Sequence, residues 1–363
     1  MEAIRIRPLR PDDMPQIAAM QQTRDDVDAA GAAKRAELMR WLAFHNPSAR
    51  GEATYFVAET ADGIIGYHGR MPLEFAIAGA VRRGYFVHDL YVTPPARKKG
   101  LGFKVTMLIA QAIEQESPSF FGLLGMTPLN LEMQRLFGYF ETAVPGLAKP
   151  LDPRRELHKR FKRPKAANLL TPFAKITLRL ADLLLLDLPA AGVRVSPLKR
   201  FDEEVEALNH RLHPQTGIST FKSAAYLNWK YIDRPYPRET VLAARKDGRL
   251  SGYIIFSPTP YQKDSAVGII IDLMADPADR RTVTALIAAA VRWFRRRHFD
   301  SVRCIFSQPA LIAELRKKLF FPTEGKAFML GNLERAGVEA DLLKDVKNWH
   351  LTLGESDTYM LSP

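Results

Sequence analysis

Cysteine is all but missing from this chain: Cys304 is the single one among 363 residues. That excludes an intrachain disulfide framework and a cysteine-rich zinc site, and a reducing, cytoplasmic setting is expected. Long apolar runs are missing too. No window reaches the roughly eighteen uncharged apolar residues that a membrane span needs, and the opening MEAIRIRPLRPDD places no apolar segment behind its basic residues. Neither a signal peptide nor a spanning helix is therefore expected. Extremes of composition are absent as well: 47% hydrophobic and 25% charged residues exclude a disordered or collagen-like chain. What stands out is charge, with 52 Lys and Arg against 40 Asp and Glu, a net +12. Such a balance favours anionic partners, whether a phosphorylated cofactor, an acidic lipid surface or nucleic acid, and does not choose among them.

The chain repeats itself. IRIRPL at Ile4 to Leu9 matches VRVSPL at Val193 to Leu198, and Gly66-Tyr67 matches Gly252-Tyr253. DLYVTPPARKKGLG from Asp89 aligns without a gap to DLMADPADRRTVTA from Asp272, and RLFGYF from Arg135 to KLFFPT from Lys318. These matches keep one order, which marks two copies of one fold. Each copy reads as a strand, a helical stretch holding Trp41 in the first copy, two alternating runs, a longer strand, an amphipathic helix, a short strand and a short helix. In the first copy Leu101, Val105, Leu108, Ile109 and Ile113 recur at helical spacing after the strand Gly84 to Val92. The pattern predicts a mixed α/β sheet, doubled, with units at 1–150 and 191–363 and a linker at 151–190.

The linker opens with RRELHKRFKRPK, Arg154 to Lys165, and continues into an amphipathic stretch interrupted by Lys175, Arg179, Asp182 and Asp187. The first use it fits is an interdomain helix with its apolar face packed between the halves. The second is peripheral contact of residues 154–188 with an acidic membrane, here the inner membrane face.

Leu90 to Lys104, LYVTPPARKKGLGFK, is the most informative segment. A strand ends in two prolines, basic residues follow, and two glycines open a helix. The first amides of a helix lack intrahelical acceptors and carry the positive end of its dipole, so they suit phosphate where side chains leave room. Gly100 and Gly102 leave that room, while Arg97, Lys98 and Lys99 add charge. A dinucleotide fingerprint fails because its third glycine falls on Val105, and a P-loop fails because no GK[ST] follows.

Arg97-x-x-Gly100-x-Gly102 after a strand ending Leu90-Tyr91-Val92 resembles the acyl-CoA pyrophosphate loop of the GNAT N-acetyltransferase superfamily, whose pattern is [Q/R]xxGx[G/A]. The resemblance covers the N-terminal half and, more loosely, the C-terminal half, and implies two tandem GNAT-like mixed-sheet α/β domains. It further implies acetyl-CoA or another acyl-CoA as cofactor, N-acyl transfer as the activity, and a small-molecule or sugar amine as acceptor. On this reading the backbone of Leu90, Tyr91 and Val92 pairs with pantetheine, the amides from Lys98 through Leu101 to Gly102 hold pyrophosphate, and Asn130 lies near the cofactor. Asn130 also fits a helix cap in TPLN. In the second copy Val283 and Ala285 replace the glycines, and Asp276 and Asp279 bring negative charge, so that half is expected not to bind CoA.

Acyl transfer to an amine needs a base. The strand GYFVHDLYV offers His88 and Asp89, and strict alternation places their side chains on opposite faces, so one of them faces the acyl group. Asp89 is preferred, since a carboxylate at the strand end acts through water while His88 also fits core packing. The family's acid tyrosine falls on Met133 or Gln134, neither an acid, and Tyr139 is displaced; solvent or the departing thiolate then takes the proton. His210-x-x-His213 lacks a third ligand and reads as an exposed helix face, and no metal is expected. In YLNWKYIDRPY, Trp229 reads as core, and Lys230, Arg234 and Tyr236 fit either core packing or the acceptor cleft. An acyl-CoA binder without turnover is the alternative function. A transferase using charged tRNA rests on basic charge alone and is opposed by the intact loop, so no nucleic acid is expected.

Overall fold

In the computed structural model, residues 3–24, 28–154, 157–158, 164–186, 192–259 and 266–356 are described. The first half runs β1 (Arg5–Pro8), α1 (Met14–Gln21), α2 (Ala29–Phe44), β2 (Tyr55–Thr60), β3 (Gly63–Ile77) and β4 (Ala80–Val92). After these come α3 (Pro94–Lys98), α4 (Gly102–Glu116), β5 (Phe121–Leu124), α5 (Pro128–Leu136) and β6 (Phe140–Pro150). A long helix, α6 (Pro164–Leu185), leads to the second half: β7 (Val193–Pro197), α7 (Glu204–Thr216), β8 (Ser219–Thr220), α8 (Ala224–Leu227), β9 (Thr240–Lys246), β10 (Arg249–Pro258) and β11 (Val267–Ala275). It closes with α9 (Arg280–Arg296), β12 (Ser301–Ile305), α10 (Pro309–Lys317), β13 (Phe321–Gly331) and α11 (Ala340–Lys344).

All the strands join one mixed sheet in the order β1-β2-β3-β4-β5-β13-β6-β12-β11-β10-β9-β7, with β8 set against β3. Exchange each strand for its counterpart in the other half and the order reads the same from both ends. The two last strands are traded: β6 lies beside β12 and β13 beside β5. The doubled α/β sheet expected from the repeats is therefore present, with each half's sheet completed by a strand from the other. Most pairs are antiparallel, and β4–β5 and β11–β12 are parallel.

The amphipathic helices seat as their spacing requires. Val105, Ile109 and Ile113 of α4 are buried against Phe56, Tyr85 and Phe121, each contributing about 1.5–3 kcal/mol. In the second half Leu286, Ile287 and Phe294 of α9 are buried in an equivalent cluster. Trp349 packs between Phe75, Phe120 and Phe328, tying the C-terminal segment to the first half.

The linker helix departs from the expected packing between halves. On α6 the buried side chains include Thr171 and Asp182, while Leu169, Phe173, Ile176, Leu180, Leu183 and Leu184 are exposed. Asp182 binds Lys149 at 2.7 Å and also Arg295, so ion pairs anchor the helix, with Leu186 buried just beyond its end. Residues 155–156 and 159–163 of the basic stretch before it, and 187–188 beyond it, lie outside the described residues.

Candidate active site

The site opens where two parallel strands part. β4 and β5 pair at Tyr85–Phe121 and Phe86–Gly122 and then diverge, because β5 follows β13 while β4 stays with β3. Between them lies a cavity of about 640 Å³. Residues Val87 to Val92 form one wall and Leu123 to Thr127 the other, with Gly102, Phe103 and Thr106 of α4 and Asn130 and Met133 of α5 closing the ends.

A bulge decides which side chains enter. Tyr67 faces Tyr91 and Gly69 faces His88, so Asp89 and Leu90 together oppose the single His68, and Asp89 takes a left-handed backbone with φ +51°. Such an extra residue interrupts the alternation of the strand. His88 and Asp89 consequently both line the cavity, against the expectation of opposite faces.

Their surroundings separate their roles. Asp89 Oδ1 accepts from Arg35 Nη2 at 2.6 Å, and Tyr55 Oη donates to Oδ2 at 3.4 Å. Arg35 also donates to Gln21 Oε1 at 3.1 Å, and Gln21 Nε2 donates to Tyr67 Oη at 2.9 Å. Asp89 is thus engaged at both oxygens inside a buried network. The His88 ring stands edge-on to Tyr55, with centroids 5.2 Å apart, over Gly69. A Cβ at Gly69 would come within 2.6 Å of His88 Cε1, so only glycine leaves space for this ring.

The loop needs its glycine for a different reason. Gly100 has φ +75°, and a Cβ there would stand in open space, so backbone conformation alone demands glycine. The amides of Lys99, Gly100 and Leu101 donate to the carbonyls of Pro95, Arg97 and Ala96. This corrects the expected cradle running from Lys98 to Gly102: its middle amides close the turn after α3, leaving the first turn of α4 at Gly102 as the helix end facing the cavity. Arg97 lines the cavity beside Gly102, and Lys98 and Lys99 are exposed next to it. In the second half the Asp279 carboxylate accepts the Thr282 amide at 3.2 Å and caps α9, whose Val283 is fully buried. An acidic side chain there occupies the helix end that α4 presents to its cavity.

Asn130 reaches the cavity, but it is not the cap of α5: that role belongs to Thr127, whose Oγ1 accepts the Asn130 amide at 3.3 Å. Asn130 Oδ1 instead accepts from Gln134 Nε2 at 3.0 Å. Tyr139 packs on Phe121, 5.0 Å between centroids, burial pushes its hydroxyl up, and it is not among the residues that line the cavity. Lys230 and Arg234 leave the acceptor reading: Lys230 donates to Tyr226 Oη at 2.7 Å, and Arg234 pairs with Glu239 at 2.9 Å. Tyr236 is part-exposed and its hydroxyl donates to Glu37 of α2. Trp229 is buried as expected and accepts the Trp41 indole N–H on its carbonyl at 3.1 Å.

Arg35, Arg24 and His68 line the cavity without having been singled out from sequence. Arg35 sits among alanines in AAGAAKRAELM, where nothing local distinguishes it from Lys34 or Arg40. The His68-Gly69 pair did carry a signal, a glycine within a strand. Burial, then the nearby His88 ring, lowers His68 to about 3 against an opposing pull from Asp89. Its folded value lies below its ordinary 6.5, so between pH 6.5 and about 3 the unfolded chain holds a proton that the fold refuses. Stability is expected to fall on acidification through that window, by up to about 1.4 kcal/mol per pH unit from this residue. Denaturant titrations from pH 6.5 to 4 check this: His68→Gln should flatten the slope, and an unchanged slope would remove the claim.

No family model matches the chain, and no curated protein sequence matches it. Solved structures do. A GCN5-related N-acetyltransferase from Anabaena variabilis superposes with a TM-score of 0.62 at 13% identity, covering 91% of this chain and 73% of that one. The fold is GNAT, doubled. Saccharomyces cerevisiae N-myristoyltransferase with bound myristoyl-CoA gives 0.55 at 12% identity over 92% and 83% of the two chains. A probable N-acyltransferase from Enterococcus faecalis gives 0.56 at 11% identity over 91% and 72%. No described helix is long and apolar enough to cross a membrane.

Proposed function

We propose that this GNAT-fold chain is an acyl-CoA-dependent N-acyltransferase, acting with acetyl-CoA or another acyl-CoA on a small-molecule or sugar amine. The observation that carries the reading is the cavity between the parted strands, which joins Arg97 and the open end of α4 to His88 within one space. Arg97, Lys98 and Lys99 supply positive charge for a pyrophosphate, Gly100 shapes the turn, and the first turn of α4 supplies amides. The edge of β4 at Leu90, Tyr91 and Val92 supports the pantetheine arm, and Asn130 closes the far side. Bound acyl-CoA would supply a thioester carbon open to an amine, with the C–S bond breaking as the N–C bond forms and the departing thiolate taking up a proton. His88 is the base that takes the amine proton, while Asp89 with Arg35 and Tyr55 holds the bulge that aims it. The unit at 1–150 carries the reaction, and the unit at 191–363 shapes the acceptor side through β13 and the Tyr236–Glu37 contact.

Incubation with acetyl-CoA and an amine panel, followed by free thiol, tests the activity. The second reading is binding without turnover, favoured by the engagement of both Asp89 oxygens and by the position of Tyr139 outside the cavity. It predicts acyl-CoA binding by calorimetry with no thiol released. Either reading predicts the effect of Gly100→Val. Valine cannot hold φ +75° without strain, so the turn that presents α4 should rearrange and acyl-CoA affinity should fall by about 100-fold or more, equivalent to about 2.7 kcal/mol. Unchanged affinity in that variant would remove the loop from the site.

A further inference from the structure

The linker helix α6 is amphipathic in the reverse sense of a packed surface helix. Its 22 residues, about 33 Å long, bury Asp182 and Thr171 and turn leucines, a phenylalanine and an isoleucine outward. Leu169, Phe173, Ile176, Leu180 and Leu183 follow each other at spacings of four and three residues, so they form one continuous stripe. Leu169 is 70% exposed, Phe173 65% and Leu184 69%. An apolar stripe of this length on a protein surface marks a contact with something apolar.

The charge beside the stripe says what kind of contact. Where α6 meets the second half, a cleft of about 180 Å³ is lined by Lys175, Arg179, Arg295 and His298, with Asp152 as the acid among its lining residues. Asp152 pairs with Lys175 at 2.7 Å, and Asp182 pairs with Arg295, so the balance still leaves the Arg179 charge on the positive side. In sequence, the stretch leading into the helix holds seven Lys or Arg against one Glu between Arg154 and Lys165. An apolar stripe flanked by basic groups matches the boundary of an anionic bilayer, where acyl chains meet phosphate head groups.

We propose that α6 seats this protein on an anionic lipid surface, with Phe173, Ile176 and Leu180 in the acyl region and Arg179 with the neighbouring basic cleft at the head groups. The helix lies in the plane of the interface, held to the protein by Asp182. This surface is separate from the cavity between β4 and β5 and does not depend on the activity proposed for it.

Flotation of the full chain with vesicles tests the proposal. Vesicles of equal phosphatidylglycerol and phosphatidylcholine should carry the protein up, and phosphatidylcholine alone should bind it at least about ten-fold more weakly, as expected for a charge-assisted contact. Replacing Phe173, Ile176 and Leu180 together by Ser should lower partitioning by about 100-fold or more, since each buried apolar side chain carries roughly a ten-fold effect. These positions are exposed, so the melting transition should be unchanged, and Arg179→Glu should weaken binding to the anionic vesicles alone. Three results would overturn the proposal: no flotation with either vesicle, flotation unaffected by the triple replacement, or a dimer by light scattering that the triple replacement dissolves. The last would assign the stripe to a second copy of the chain.

Discussion

His88→Gln is expected to lower the maximal rate of acyl transfer by about 10²- to 10⁴-fold, the usual contribution of a positioned proton acceptor. Acyl-CoA affinity should stay within a few-fold, because a base acts in the transition state and adds little to ground-state binding. Glutamine keeps most of the ring's bulk against Tyr55, so the fold is spared. Gly69→Ala offers an independent route to the same result. Its methyl would fall within 2.6 Å of the His88 ring, so the ring must leave its position and the rate should drop with residue 88 untouched. Stopped-assay thiol release under saturating acyl-CoA and amine measures both. Full turnover in His88→Gln would place the base elsewhere and leave the cavity with a binding role only.

Asp89→Asn is expected to act first on stability. The Asp89 carboxylate is 2% exposed and the Arg35 side chain 9%, so removing one charge strands the other in the interior, at a cost of about 3–5 kcal/mol. Asparagine tolerates the left-handed backbone at this position, so the variant isolates charge from conformation. Urea unfolding should show the loss. Adding Arg35→Met to Asp89→Asn should restore part of it, because the double variant no longer buries a guanidinium that has lost its Asp89 carboxylate. An Asp89→Asn protein as stable as the parent but as slow as His88→Gln would return Asp89 to the role of base and give His88 to packing.

The two residues show where sequence reading reaches its limit. Strand period predicts that neighbours such as His88 and Asp89 point apart, and that holds while each residue has one partner across the ladder. Here Asp89 and Leu90 share His68 as their partner, and no local pattern in GYFVHDLYV announces an added residue. The choice between Asp89 and His88 as base depends likewise on a distant partner, because Arg35 meets Asp89 from 54 positions away in sequence. Asn130 reaches the cavity, while the capping of α5 falls to Thr127, whose hydroxyl accepts the Asn130 amide.

The amino-acid sequence by itself determined the doubling, the alternation of strands and helices, and the glycine loop. Each depends on local order: hydrophobic period selects strand or helix, and a residue such as Gly100 registers a backbone demand at its own position. Only the tertiary structure decided the trade of β6 and β13, the bulge at Asp89, the parting of β4 from β5 and the outward apolar face of α6. Those depend on which distant partner a segment meets. A strand offers the same backbone donors and acceptors to every neighbour, and an amphipathic helix can be anchored by either face, here by Asp182 between Lys149 and Arg295.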